Sequence, residues 1–192
     1  MSSVQPYGSW PSPISAASLV EGAVGIAELV TDHTDIWWAE SRPDEGGRVA
    51  IVRRRGEEVT EITNAEANVR TRVHEYGGGG WWVDQGVLFY VEFGDQRLRR
   101  LEPGGDPVVL TPEPPEPAAW RYADGRVTAD QRWFICVREL HHQVPGGAHL
   151  EPDNQLVAIA TDGSMAVSYT QLTLPTTIKP GGGRGGAGRG GG

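Results

Sequence analysis

Three short apolar runs recur at nearly even spacing: Asp35-Ile36-Trp37-Trp38-Ala39-Glu40, Gly86-Val87-Leu88-Phe89-Tyr90-Val91 and Arg132-Trp133-Phe134-Ile135-Cys136-Val137. Each follows a polar turn, at Asp32-His33-Thr34, Asp84-Gln85 and Asp130-Gln131, and each leads through a loop to a second strand beginning near Arg48, Gln96 or Asn154. In the first two units a turn at Gly56 or Gly104-Gly105 then opens Val59-Thr60-Glu61-Ile62-Thr63 or Pro107-Val108-Val109-Leu110-Thr111. Runs of this length, rich in β-branched and aromatic residues and bounded by Asp, Gly, Pro and Asn, form strands rather than helices. The period is roughly 50 residues, near the longer end of the blade lengths of radial β-repeats.

The repeat predicts an all-β chain: an incomplete β-propeller of about three four-stranded antiparallel blades, near 23–66, 77–114 and 120–164. A blade buries its faces only against neighbouring blades, so the ring must close to remove its exposed ends. Closure takes about four to eight blades. Further blades are therefore expected beyond this segment, and the isolated segment is expected to aggregate through unpaired edges and an apolar blade face. Ahead of the first blade, Ile14-Ser15-Ala16-Ala17-Ser18-Leu19-Val20 predicts a short helix, capped by Ser12 or Ser15 and closed by Gly22.

Composition excludes several function classes. The 27 glycines and 14 prolines suit many short elements joined by turns. Net charge is −8, and the only basic residues after Ser164 are Lys179, Arg184 and Arg189, with no acid among them; the body, with 14 basic and 25 acidic residues, stands at −11. Such a body lacks the basic track that nucleic acid requires, so no nucleic-acid partner is expected. Cys136 is the only cysteine, which excludes an intrachain disulfide and a multi-cysteine metal site. Met1 to Pro13 has neither a basic nor an apolar leader region, and no run of about 18 apolar residues occurs. A cytoplasmic location without membrane association is expected.

The densest cluster of chemically capable residues is Asn68-Val69-Arg70-Thr71-Arg72-Val73-His74-Glu75-Tyr76, followed by Gly77 to Gly80 and Trp81-Trp82. Alternation of Arg70, Arg72 and His74 against Val69, Thr71 and Val73 predicts a strand with one wet face. The glycines let the backbone bend, and Trp81 and Trp82 would enter the next blade on opposite faces. The segment is thus a blade-to-blade crossover. Arg70, Arg72, His74 and Glu75 are candidate substrate-gating residues at the propeller funnel; the competing role is an internal salt-bridged joint.

This segment, together with Tyr7-Gly8-Ser9-Trp10-Pro11-Ser12-Pro13 and Tyr122-Ala123-Asp124-Gly125-Arg126-Val127, resembles the N-terminal β-propeller of the prolyl oligopeptidase family, in its bacterial acylaminoacyl-peptidase or dipeptidyl-aminopeptidase-like branch. The resemblance covers about residues 6 to 164 by the repeat reading. It implies a serine peptidase of short peptides in which the propeller gates access to a C-terminal α/β-hydrolase domain. That domain would perform acyl transfer with Ser, His and Asp and backbone amides as the oxyanion hole. No Gly-x-Ser-x-Gly elbow occurs here: Gly8-Ser9-Trp10 and Gly163-Ser164-Met165 lack the flanking glycines. No catalytic residue and no cofactor are therefore assigned to this chain, and it is expected to be inactive alone. The alternative is a non-catalytic propeller serving as a binding or scaffold module.

Val167 to Thr177 breaks the pattern. It resembles one translated frame of a transposase-adapter oligonucleotide used in shotgun sequencing, differing only at Gln171, where that frame encodes His. With the Gly-rich stretch Gly181 to Gly192, the segment 165–192 is expected to be an artefactual, disordered tail; an Arg-Gly-Gly arm that binds RNA is the competing reading. His141, His142, His149, Glu151 and Asp153 match no standard metal-ligand spacing, and Pro145-Gly146-Gly147 suggest a solvated loop there, so no metal site is expected. The Trp37-Trp38 and Trp81-Trp82 pairs point to opposite strand faces and suit inter-blade core better than a carbohydrate platform. Cys136, in an apolar strand, is expected to be a small buried hydrophobe.

Overall fold

The computed structural model describes residues 8, 14, 15, 18, 21–142 and 151–164, and the backbone of Val167–Thr170. Twelve strands are present among them. Sheet I comprises β1 (Gly25–Asp32), β2 (Asp35–Arg42), β3 (Arg48–Arg55) and β4 (Glu58–Glu61). Sheet II comprises β5 (Trp81–Asp84), β6 (Val87–Val91), β7 (Leu98–Leu101) and β8 (Val108–Val109). Sheet III comprises β9 (Trp120–Val127), β10 (Trp133–Leu140), β11 (Asp153–Ala160) and β12 (Val167–Thr170). Each sheet is a four-stranded antiparallel meander in chain order, the incomplete-propeller architecture that the repeat predicts. No helix among the described residues is long and apolar enough to cross a membrane.

The repeat extends to backbone conformation. The turns between the first and second strands carry His33, Gln85 and Gln131 at φ of 52°, 49° and 59°, so each hairpin places a non-glycine residue in the left-handed region. The first strands of sheets I and III are interrupted alike: register shifts at Ala27/Val30 and opposite Ile135/Val137 coincide with Glu28 and Asp124 at φ of 53° and 58°. One extra residue at each place makes a β-bulge and strengthens the local twist.

Sheet II is buried on both faces because it lies between the other two. Leu88 and Tyr90 of β6 pack with Trp37, Ala39 and Ile51 of sheet I, whereas the alternate residues Phe89 and Val91 pack with Tyr122, Phe134, Cys136, Val157 and Ile159 of sheet III. A strand buried on both sides loses the polar half of its alternation, which explains the uninterrupted run Val87 to Val91. Trp81 belongs to the first core and Trp82 packs against the second, so the pair enters sheet II on opposite faces as expected.

One expectation is modified and another falls largely outside the described residues. The backbone of Val167–Thr170 pairs with β11 from Leu156↔Thr170 to Ile159↔Val167, within a segment expected to be disordered. An open strand edge offers unpaired N–H and C=O groups, and a β-prone stretch such as Val-Ser-Tyr-Thr satisfies them whatever its origin. The remainder of that tail lies outside the described residues. The helix expected over 14–20 also lies largely outside them, although Ser15 and Ser18 exchange backbone-to-hydroxyl hydrogen bonds of 3.0 Å each, the reciprocal arrangement of a helix-capping box.

Candidate functional site

The crossover from sheet I to sheet II is extended but is not a ladder strand. Its N-terminal part divides its hydrogen bonds between two sheets: Val69 N–H donates to Val49 O at 2.9 Å, and Arg70 N–H donates to Val91 O at 3.2 Å. A segment that must bridge two sheets cannot pair continuously with either, which is why the expected strand is reduced to a single bridge, Val69↔Glu92. The expected alternation holds: Val69, Thr71 and Val73 are buried, and Arg70, Arg72 and His74 are exposed. Buried Gln96 fixes the middle of the segment, its Oε1 accepting the Arg72 N–H at 2.7 Å while its Nε2 donates to Phe93 O at 3.0 Å.

After Val73 the chain reverses through His74 (φ 55°), Glu75 (φ 63°) and Gly77 (φ 88°). It then runs against the bulge of β9. Asp124 Oδ1 accepts the Gly79 N–H at 2.7 Å and Asp124 N–H donates to Gly79 O at 2.8 Å. A Cβ at position 79 would stand 2.9 Å from that carboxylate oxygen, so a larger residue would have to push the Asp124 carboxylate aside.

Sheet III holds the reversal at its other side. Glu139, whose side chain is 1% exposed, accepts the His74 N–H at 3.0 Å and lies 2.7 Å from His141 Nε2 and 3.4 Å from His74 Nδ1. Arg121 Nη1 donates to Arg72 O and to Glu75 Oε1, both at 2.8 Å, and sits 3.7 Å from Glu139 Oε2. The Arg121 guanidinium holds the Glu75 carboxyl below its usual pKa. Glu28, on the bulge of β1, behaves oppositely: its side chain reaches the surface, yet the surrounding protein raises its carboxyl pKa, with the Trp81 indole N–H a smaller opposing influence.

The four candidate gating residues are brought together, around two adjoining clefts. Arg70, Arg72 and Glu75 line a cleft of 710 Å³ whose other wall is β1 from Gly25 to Glu28. His74 and Glu75 line a second of 540 Å³, with Tyr76, Glu139 and His141. Both arginines stack on Phe93, their guanidinium carbons 4.6 and 4.3 Å from the ring centroid.

The other candidates are separate. His142 pairs with Asp153 at 2.9 Å, His141 with Glu139, and His149 lies outside the described residues. Among the described residues no group of three or more His, Cys, Asp or Glu side chains is placed to hold a metal ion. Cys136 is buried within the second core, and desolvation pushes its thiol pKa up to about 12. Trp38 hydrogen-bonds Glu40 at 2.9 Å.

Sequence reasoning missed Glu139, Arg121, Gln96 and Phe93. The only local signal for Glu139 is a charged pair, Arg138-Glu139, inside an otherwise apolar strand. Gln96 looks like an ordinary turn residue, and its 0% exposure arises from packing.

No family model and no curated protein sequence matches the chain. Solved structures do. A puromycin-hydrolysing peptidase of Mycobacterium tuberculosis is 37% identical with a TM-score of 0.75, over 88% of this chain and 27% of that one. A puromycin hydrolase is 34% identical with a TM-score of 0.71, over 85% and 26%. The chain is similar to the propeller part of these peptidases of the prolyl oligopeptidase family. A further puromycin hydrolase structure, of a substituted form complexed with PGG, is 33% identical with a TM-score of 0.73 over 86% of this chain. The propeller segment spans about a quarter of the length of the peptidases it matches.

Proposed function

We propose that this segment belongs to the propeller of a cytoplasmic serine peptidase of the acylaminoacyl-peptidase type. Its role is to gate the access of short peptides to an α/β-hydrolase domain encoded outside these residues. The carrying observation is the likeness, at 33–37% identity, of three consecutive four-stranded sheets to peptide-hydrolysing enzymes. The gating surface is the pair of clefts around Arg70, Arg72, His74 and Glu75, where cationic, anionic and aromatic groups stand on a crossover pinned by a third sheet. The partner is the peptide substrate; the acidic body argues against nucleic acid.

The test has two parts. The genomic frame downstream is expected to encode further blades and then a Gly-x-Ser-x-Gly elbow followed by Asp and His; a stop codon after the last blade would favour a non-catalytic binding module. Full-length protein is expected to hydrolyse short peptide amides with sensitivity to serine-directed inhibitors, and this chain is not. Gating predicts that Arg72→Ala raises KM while leaving the protein folded. An unchanged KM would remove Arg72 from that role.

A further inference from the structure

Arg70 and Arg72 differ from most arginines of the described residues. Arg42 and Arg48 pair with Glu40, Glu45 and Glu61, Arg55 with Asp35, Arg99 with Asp95, and Arg121 with Glu75. Neither Arg70 nor Arg72 has a hydrogen-bonded oxygen partner for its guanidinium among the described residues; each stacks on the Phe93 ring. Of the acids in the vicinity, Glu75 is held by Arg121, Glu92 accepts the backbone N–H groups of Asn68 and Gly94, and Glu28 stands on the β1 wall of the same cleft.

Two like charges stacked on one ring repel each other, and the ring quadrupole offsets this only in part. The backbone beneath them is nonetheless fixed, by Arg70 N–H to Val91 O, Arg72 N–H to Gln96 Oε1, and Arg121 to Arg72 O. The donors are therefore presented by a rigid segment, and an anion would relieve the repulsion at little ordering cost. The 710 Å³ cleft beside them has an apolar portion, Ile26, Ala27, Ala39 and Val49, with Tyr76 and the Glu28 and Glu75 side chains also on its lining. Planar guanidinium forks match a carboxylate bidentately, and the apolar portion of the lining suits a hydrocarbon or aromatic side chain.

We propose that Arg70 and Arg72 form a carboxylate-binding site, with an apolar side chain of the same ligand seated in the cleft beside them. The ligand is a short peptide with a free C-terminus, an identification that rests on the peptidase reading. The test is calorimetric titration of the full-length protein treated beforehand with a serine-directed covalent inhibitor, so that no probe is turned over. The probes are Ala-Ala-Phe with a free carboxylate, its C-terminal amide, and acetyl-Ala-Glu-Ala-amide, whose only carboxylate is a side chain. The free acid is expected to bind about tenfold more tightly than its amide. Arg72→Gln is expected to weaken the acid about tenfold, Arg72→Lys to weaken it less, and R70Q/R72Q to abolish the preference for acid over amide. The buried residues Val69, Thr71 and Val73 are untouched by these changes, and near-ultraviolet circular dichroism of the tryptophans verifies the fold.

Equal binding of acid and amide, or a preference that survives in R70Q/R72Q, overturns the site. Binding of acetyl-Ala-Glu-Ala-amide as tightly as the free acid upholds the carboxylate site and assigns it to acidic side chains. Failure of the peptidase reading is separately visible: the full-length protein would show no inhibitor-sensitive turnover, while it would still prefer the acid over the amide in the titration.

Discussion

Replacing Glu139 tests whether sheet III positions the crossover. Glu139→Ala removes a buried carboxyl acceptor from the His74 N–H at 3.0 Å and a partner 2.7 Å from His141 Nε2. Hydrogen bonds to charged groups contribute about 1.5–3 kcal/mol each, but His74 and His141 are 43% and 28% exposed, so water recovers part of the loss. The net expectation is a destabilisation of about 2–3 kcal/mol. Glu139→Gln keeps an acceptor for the His74 N–H and loses the charge, and should cost about 1 kcal/mol. Urea unfolding followed by tryptophan fluorescence measures the total. Native-state amide exchange locates it: protection at His74 and Gly77 should fall well before protection in the β10 ladder at Cys136. A Glu139→Ala protein within about 0.5 kcal/mol of the parent, with unchanged exchange at His74, would refute the reasoning. Equal losses in both variants would assign the effect to the charge rather than to the acceptor.

Three further outcomes are expected. Gly125→Ala places a Cβ within the Phe134 ring, which is buried and stacked on Phe89 at 5.1 Å, so overpacking should cost about 1–3 kcal/mol; a melting temperature equal to the parent's would contradict it. The Cys136 thiol, buried and with its pKa at about 12, should resist iodoacetamide at pH 8 until denaturant is added, and rapid native-state alkylation would show that β10 opens locally. Hydrogen bonding from Arg55 lowers the Asp35 pKa, so the folded state binds that proton less readily than the unfolded state. Its contribution is fully present above the ordinary carboxylate pKa and is lost as pH falls through the lowered value; Asp35→Asn should flatten that part of the acid-unfolding curve, and an unchanged curve would exclude the contribution.

The second and third strands of each sheet were legible because they combine apolar runs with sharp turns; Arg48 and Asp153 open β3 and β11 close to the expected positions. The first strands were harder to see. β1 is exposed over Gly25 to Leu29 and interrupted by the Glu28 bulge, so it carries no clean alternation. β9 is broken at Asp124, whose Asp-Gly pair looks like a turn and is a bulge within a continuous strand. At the candidate site, alternation correctly separated Val69, Thr71 and Val73 from Arg70, Arg72 and His74, because one face must be buried whatever the hydrogen-bond pattern. It could not reveal Glu139, which lies 65 positions from His74 and meets it only through packing of sheet III.

That distant partner alters what the crossover is. A local reading makes residues 68–82 a joint between the first and second sheets, and the bonds of Val69 and Arg70 to β3 and β6 fit that description. From Arg72 onward, however, many of the fixed points belong to the third sheet: Arg121 on Arg72 O and Glu75, Glu139 on His74, and Asp124 on Gly79. A chain cut after β8 would retain both sheets that flank the joint and lose these anchors. Gly77 at φ 88° and the two preceding left-handed residues would then sit in a loop with little to compensate their conformational entropy. The positions of Arg72, His74 and Glu75 are therefore set cooperatively by three sheets, which explains how flexible glycines and a sharp reversal can present charged groups in a defined arrangement.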